Sequence, residues 1–276
     1  MSIKVAAIQM CSGMDVERNV ETLKALVRDA AGQGAIYIQT PEMTGSLQRN
    51  RKALFASIRP EETDLVAKAA SELARELNIH LHIGSTAIDL GEGKVANRAL
   101  LFGPDGQKIA SYDKIHMFDV DLDNGESWRE SATYQPGCEA RVIALPFAKL
   151  GMAVCYDVRF PHLFRAQALA GAEILTAPAA FTRQTGEAHW SILQRARAIE
   201  NGAFMISAAQ AGVHEDGRET YGHSIIVDPW GKVVAEAGGT GEAVLVAEID
   251  IAAVAAARAK IPNLRNSRDF ALVDAV

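Results

Sequence analysis

Residues 149–178, KLGMAVCYDVRFPHLFRAQALAGAEILTAP, read as strand, helix, strand. KLGMAVC (149–155) is a short apolar run, helical spacing over 163–170 stops at Gly171, and AEILTAP (172–178) is a second apolar run closed by proline. Two apolar runs joined by a helix predict a βαβ unit with parallel strands. Outward from this unit, RVIALP (141–146) reads as a strand before it. A helix over about 187–200 and the strand AFMISAAQ (203–210) follow it. HSIIVDP and KVVAEA then flank a Pro-Trp-Gly turn, and EAVLVAEID (242–250) is a further strand.

The first half of the chain has the same order of elements. Residues 3–10 read as a buried strand. Asp15 is the N-cap of a helix with Val16, Val20, Leu23, Val27 and Ala30 on one face, stopped by Gly32 and Gly34. AIYIQT (35–40) runs as a strand into Pro41. A second amphipathic helix over 62–77 carries Leu65, Ala69, Leu73 and Leu77, and IHLHIGS (79–85) is the next strand. RALLF (98–102) and QKIASY (107–112) flank GPDG, a hairpin turn. The two halves are alike in element order but not residue by residue.

Strands alternating with helices, interspersed with hairpins, predict an α/β fold of mixed sheets. The preferred architecture is a four-layer αββα sandwich of two mixed β-sheets with helices on both outer faces, ahead of a barrel or one doubly wound sheet. No Pro/Ser-rich linker interrupts residues 1–276, which are read as a single domain. Residues 251–276 begin helical and turn polar, and are read as an arm that packs on a partner subunit.

The 276 residues are 22% charged and 49% hydrophobic, the composition of a globular protein with a sizeable core. Lys and Arg number 28 against 34 Asp and Glu, a net charge of −6, so the basic footprint that nucleic acid or an anionic membrane demands is missing. A small-molecule partner is expected instead. No apolar run reaches the roughly 18 residues of a membrane helix, and the apolar part of the N-terminus is too short for a signal peptide. Cys11, Cys138 and Cys155 are odd in number and widely spaced, which points to a reducing cytoplasm rather than to a disulfide framework or structural zinc.

HExxH, G-x-S-x-G and Walker sequences are absent. His80 and His82 share a strand face without a third ligand and read as structural, and the glycines near Gly91 and Gly238 do not open a helix after a strand, so neither a metal nor a nucleotide cofactor is expected. Cys155 ends the run GMAVC just before YDVRFPHLF. A nucleophile at a strand-to-helix turn is exposed to substrate with backbone N–H groups nearby, although a Cys there is equally a small buried hydrophobe. Glu42 in TPEMTG, Lys114 in SYDKIHMF and Glu130 in WRESATYQPG carry little weight singly: a solvated loop acid, a snorkelling lysine and a polar-loop residue.

Together, PE (42), YDKIH (114), RES (130) and CYDVRFP (155) resemble the Glu–Lys–Glu–Cys set of the nitrilase, or carbon–nitrogen hydrolase, superfamily. The resemblance spans nearly the whole chain through NRALLFGPDG, TAPAAF, HWSILQRARAIEN and YGHSIIVDPWG. It implies the αββα sandwich and a homodimer. Among the superfamily's branches it is similar to amidases of deaminated glutathione and to omega-amidases, with AAQAG followed by His214 leaning to the former. What it implies is hydrolysis of a terminal carboxamide on a small carboxylate-bearing substrate, with ammonia released through a Cys thioester. A nitrilase or a carbamoyl-amine hydrolase uses the same four residues.

In those roles Glu42 is the base that activates Cys155, because a thiol near its free pKa of about 8.5 is a poor nucleophile. An ordinary carboxylate, pKa about 4.3, is too weak a base, so burial and the neighbouring Glu130 are expected to raise it. Lys114 balances the two acids, and with the backbone N–H of Tyr156 stabilises the oxyanion. For Arg159 two readings stand: a clamp on a substrate carboxylate, or a structural partner of Asp157 or another acid. The resemblance favours binding and adds Phe181 and Thr185 to the same pocket. Arg183 reads as a surface residue, and Arg197 with Glu200 as a structural ion pair.

Overall fold

The computed structural model describes residues 1–122 and 125–273. The first half runs β1 (Ser2–Gln9), α1 (Val16–Gly32), β2 (Tyr37–Gln39), α2 (Arg51–Ser57), α3 (Leu65–Leu77), β3 (His80–Gly91), β4 (Lys94–Phe102) and β5 (Lys108–Asp113). A small hairpin of β6 (Asp119–Asp121) and β7 (Ser127–Arg129) follows. The second half runs β8 (Arg141–Ala144), β9 (Lys149–Met152), α4 (Pro161–Leu169), β10 (Ile174–Thr176), α5 (Arg183–Asn201) and β11 (Phe204–Ser207). After the hairpin of β12 (Ala211–Val213) and β13 (Glu219–Tyr221) come β14 (Ile225–Val227), β15 (Val233–Glu236), β16 (Ala243–Asp250) and α6 (Ala252–Lys260).

Two six-stranded sheets form, in the orders β16-β1-β2-β3-β4-β5 and β15-β14-β11-β10-β9-β8. Each has a parallel centre and antiparallel flanks. Period-two alternation explains the layering. Val5 and Ala7 face the core shared with Met152, Leu175 and Ile206 of the other sheet, whereas Ala6 and Ile8 face Leu23 and Val27 of α1 and Leu73 of α3. With both faces covered, the central strands read as unbroken apolar runs. On the other side Phe164 of α4 and Trp190 of α5 pack on the same core as Ile174 and Met205. This is the αββα sandwich.

Capping matches the sequence at α1, where the Asp15 carboxylate accepts from the Glu17 and Arg18 N–H groups at 2.9 and 3.2 Å. The second helix begins later than expected, at Leu65. Asp64 accepts from the Ala67 N–H at 2.8 Å and so starts α3, leaving 61–63 as a 3₁₀ turn. The run 242–250 belongs to the first sheet rather than the second: β16 pairs antiparallel with β1 from Ser2↔Asp250 to Gln9↔Ala243. The Cys155 strand is also shorter than read, because β9 ends at Met152 and Cys155 opens a 3₁₀ turn over Cys155–Arg159. Among the described residues no helix is long and apolar enough to cross a membrane.

Candidate active site

The site lies beyond the C-terminal ends of the parallel strands, where the two sheets face one another, as open parallel sheets generally place their sites. The first sheet supplies Glu42, three residues past β2, Asn97 on β4, and Lys114, directly after β5. The Lys114 N–H donates to Asn97 O at 3.0 Å, which ties the last two together. The second sheet supplies Cys155 just past β9 and the Ala180 N–H just past β10. Glu130 begins a 3₁₀ turn after β7.

Lys114 is 2% exposed, and its ammonium donates to Glu42 Oε1 at 2.9 Å and to Glu130 Oε2 at 2.8 Å. Asn97 Nδ2 donates to the same two carboxylates at 2.9 and 3.0 Å. The Ala180 N–H donates to Glu42 Oε2 at 2.7 Å, and the Phe118 N–H to Glu130 Oε2 at 2.7 Å. The buried Cys155 thiol lies in the field of the Glu42 carboxylate. Both carboxylates are therefore held rigidly, as buried charges must be.

Burial by itself raises the Glu42 carboxyl, but the charge of Lys114 and hydrogen bonds from Cys155, Lys114 and Asn97 outweigh it, so the pKa lies below the ordinary range. This corrects the expectation of a raised value. The second carboxylate is present, but one ammonium lies between the two acids. Burial and the Glu42 charge push the Cys155 thiol well above its usual range despite Lys114. Burial disfavours the Lys114 cation, yet Glu130 and Glu42 more than restore it. The resting state is thus thiol, carboxylate and ammonium.

Cys155 sits at φ 50°, a left-handed conformation that costs a non-glycine residue about 1–3 kcal/mol and is typical of functional turns. Its own N–H is spent on Pro178 O at 2.9 Å, while the Tyr156 N–H has no acceptor among the described residues. That leaves Tyr156 N–H, with Lys114, as a donor for a developing oxyanion.

A cavity of about 600 Å³ opens onto the cluster. Glu42, Lys114, Glu130, Cys155, Tyr156, Phe181 and Thr185 all line it. Arg159 does not. Its guanidinium stands 5.3 Å from the Phe181 ring centre and 6.0 Å from that of Tyr156, with Nη1 3.3 Å from His189 Nδ1. Asp157 is not its partner, being taken by the Tyr112 hydroxyl, by the His116 N–H and ring, and by the Val154 N–H. Arg183 is exposed and pairs with Glu187 and Glu219, and Arg197 pairs with Glu200 at 2.8 Å. The His82 ring meets the Tyr37 hydroxyl at 2.7 Å, and burial lowers its pKa to about 3. His80 packs edge-on against Phe147.

Sequence reasoning missed Asn97, although it begins the NRALLFGPDG run and is a lone amide in an apolar strand. It also missed Arg49, Trp128 and Arg218, which line the cavity from two separate loops and from β7. Only folding brings those together.

An αββα sandwich with a buried thiol among two carboxylates and an ammonium defines a class of hydrolases acting on carbon–nitrogen bonds. The chain belongs to the carbon–nitrogen hydrolase family, whose model matches residues 4–259, and it is an amidohydrolase. It is 39% identical over 267 residues to a deaminated glutathione amidase of Yersinia enterocolitica, covering 96% of this chain and 92% of that one. Identity to an omega-amidase of Homo sapiens is 35%, over 97% and 95% of the two chains. The NitFhit protein of C. elegans superposes with a TM-score of 0.88 at 34% identity; the match covers 97% of this chain and 65% of that one. An amidase from Nesterenkonia sp. AN1, carrying the acetamide moiety of fluoroacetamide on its active-site cysteine, superposes with a TM-score of 0.82 at 26% identity. That match covers 96% and 94% of the two chains.

Proposed function

We propose that Cys155 attacks the amide carbonyl of a small 2-oxo-acid amide, with deaminated glutathione as the substrate and 2-oxoglutaramate as the alternative. The observation that carries this reading is the buried Cys155 thiol set beside a Glu42 carboxylate that is itself clamped by Lys114 and Asn97. Glu42 accepts the thiol proton as sulfur bonds to carbon, and the oxyanion is met by the Lys114 ammonium and the Tyr156 N–H. Because the carboxyl is a weak base in the resting site, proton transfer is coupled to attack rather than preceding it. Glu42 then returns the proton to the departing nitrogen, leaving a thioester on Cys155. It next takes a proton from water, whose oxygen attacks the thioester carbon; the sulfur leaves and recovers that proton, and the acid is released. Glu130 holds Lys114 and Asn97 in place throughout.

The two substrates differ in leaving group. 2-Oxoglutaramate has a primary carboxamide and releases ammonia. Both amide nitrogens of deaminated glutathione are substituted, so its leaving group is an amine. The expectation of ammonia therefore holds only for the shorter substrate. Supporting the longer one are the 39% identity to the Yersinia amidase and a cavity larger than a primary carboxamide needs. Arg159, with Phe181 and Thr185, is proposed to take the oxo-acid carboxylate.

The chain is further proposed to act as one catalytic domain in a homodimer, in a reducing cytoplasm; Cys11, Cys138 and Cys155 are free thiols. The test is release of 2-oxoglutarate, the acid product common to both amides, with ammonia release from glutamine, a carbamoyl amine and a simple nitrile as the comparison. Turnover of one oxo-amide, lost in Cys155→Ala, supports the reading, and Arg159→Lys should then raise KM for it more than for a neutral amide. Silence toward both oxo-amides, with Cys155 still alkylated by iodoacetamide, overturns the substrate.

A further inference from the structure

The outer wall of the cavity gathers Arg49, Arg51, Arg129 and Arg218 with Glu126, whereas the cluster beside Cys155 sets two carboxylates against one ammonium. Arg49 and Arg218 place their guanidinium carbons each 4.7 Å from the centre of the Trp128 ring, and so within twice that distance of one another. All three line the cavity. Two like charges gathered on one ring repel, and each draws only a modest cation–π gain of about 0.5–2 kcal/mol. Their neutralisation is incomplete. No carboxylate among the described residues lies within ion-pair distance of Arg49. Arg218 has Asp216 Oδ2 at 3.5 Å, too far for a good hydrogen bond, and both Arg218 Nε and Asp216 Oδ2 are buried without a hydrogen-bond partner. An unmet buried donor costs about 1–3 kcal/mol, more when charged, so a protein that retains one beside a second guanidinium has left a place for an anion.

The acids nearby do not fill it. Trp128 Nε1 donates to Glu126 at 3.2 Å, and Arg51, stacked on Phe55, adds a further cation to the same wall. Rings connect this wall to the nucleophile. Tyr156, next to Cys155, meets Phe118 with ring centres 5.1 Å apart, and Phe118 meets Trp128 at 6.4 Å. The guanidinium pair is therefore linked to the Cys155 turn through the rings of Trp128, Phe118 and Tyr156.

We propose that Arg49, Trp128 and Arg218 form a second, distal carboxylate subsite, which selects amides whose leaving amine carries a terminal carboxylate. This rests on the reading of the cavity as an amidase site and makes the longer substrate the preferred one. In deaminated glutathione the group so held is the glycine carboxylate, while the flat amide backbone between lies along the rings. 2-Oxoglutaramate has nothing to reach the subsite.

The test compares deaminated glutathione with its glycine C-terminal amide, in the wild type and in the Arg49→Gln and Arg218→Lys variants. The wild type should prefer the free acid by about 10-fold or more in kcat/KM, through KM, as one charge-assisted contact warrants. Each variant should lose most of that preference; Arg49 is exposed, so its replacement leaves the fold intact even where that of the partly buried Arg218 does not. Protection of Cys155 from iodoacetamide by the same two compounds reads the subsite without turnover, with the acid protecting at lower concentration than the amide only while both arginines are present. Equal turnover and equal protection by acid and amide overturn the subsite and leave the amidase reading standing. A preference that survives both substitutions also overturns it. No 2-oxoglutarate from any oxo-amide, together with selective protection by the acid, overturns the amidase reading and supports an anion site.

Discussion

At the scale of single residues, Lys114 decides the protonation of the site. One buried ammonium serves two carboxylates, so Lys114→Met leaves an uncompensated pair of acids and should cost about 3–5 kcal/mol of stability at pH 7, read as a fall in Tm, along with turnover. The Glu42 pKa is depressed in the folded state, so its contribution to stability is present above the ordinary value of 4.5 and is lost as pH falls below it. The stability gap between wild type and Lys114→Met should therefore narrow as pH drops through that region; a gap constant from pH 7 to 3.5 would contradict the assignment. Asn97 acts on the same acids through its amide. Asn97→Leu removes two hydrogen bonds to charged oxygens, each of about 1.5–3 kcal/mol, and should lower kcat by at least 10-fold while KM changes little.

At the scale of elements, the cluster depends on how closely β3 meets the turns of its neighbours. A Cβ at Gly84 would lie 2.1 Å from Thr40 O and 2.5 Å from the Pro178 side chain. Thr40 leads into Glu42, and Pro178 accepts the Cys155 N–H, so one missing methyl sets the separation of base and nucleophile. Gly84→Ala should push both turns away, costing about 1–3 kcal/mol and lowering kcat together with Tm. Gly32→Ala, with nothing within 4 Å of the added Cβ, is the control and should leave kcat unchanged. Loss of stability without loss of kcat in Gly84→Ala would separate packing from positioning.

At the scale of the whole molecule, the end of the chain returns to its beginning. β16 pairs with β1, and α6 is tied to the second half by Arg258, which donates to Ala172 O at 2.6 Å and to Asn201 O at 3.1 Å. Asn263 is held as well, its carbonyl by Arg165 and its amide by Glu200 O. Beyond it Phe270, Leu272 and Val273 are more than four-fifths exposed, an apolar run that one protomer leaves uncovered. In the proposed homodimer this arm packs on the partner; residues 274–276 of the expected arm lie outside those described. Truncation after Arg265 should shift the sedimentation of the chain toward monomer without unfolding it, whereas an unchanged dimer would remove the arm from the interface.

The principal strands and helices of both halves, the Asp15 cap, the GPDG hairpin and the motifs around Glu42, Lys114, Glu130 and Cys155 were legible in the sequence, whereas α2 and the small hairpins β6–β7 and β12–β13 were not. Period, capping and turn chemistry are local properties, and the motif words around the four residues are contiguous. What stayed hidden depends on distance through space. β16 carries the same apolar pattern whichever sheet it joins, so pattern cannot choose its partner. Glu42 looks like an acid that a second acid will make more basic, until Lys114 is seen within hydrogen-bond distance of both. Arg49 and Arg218, on two loops, and Trp128, on β7, lie far apart in the chain and have no shared motif. The amino-acid sequence by itself determined the layers of the fold and the placement of Cys155 at the end of a strand, because both follow from neighbours along the chain. The charge state of the base, the hold of Asn97 and the cationic outer wall were decided by tertiary structure alone, because electrostatic energies depend on separations and burial that only packing sets.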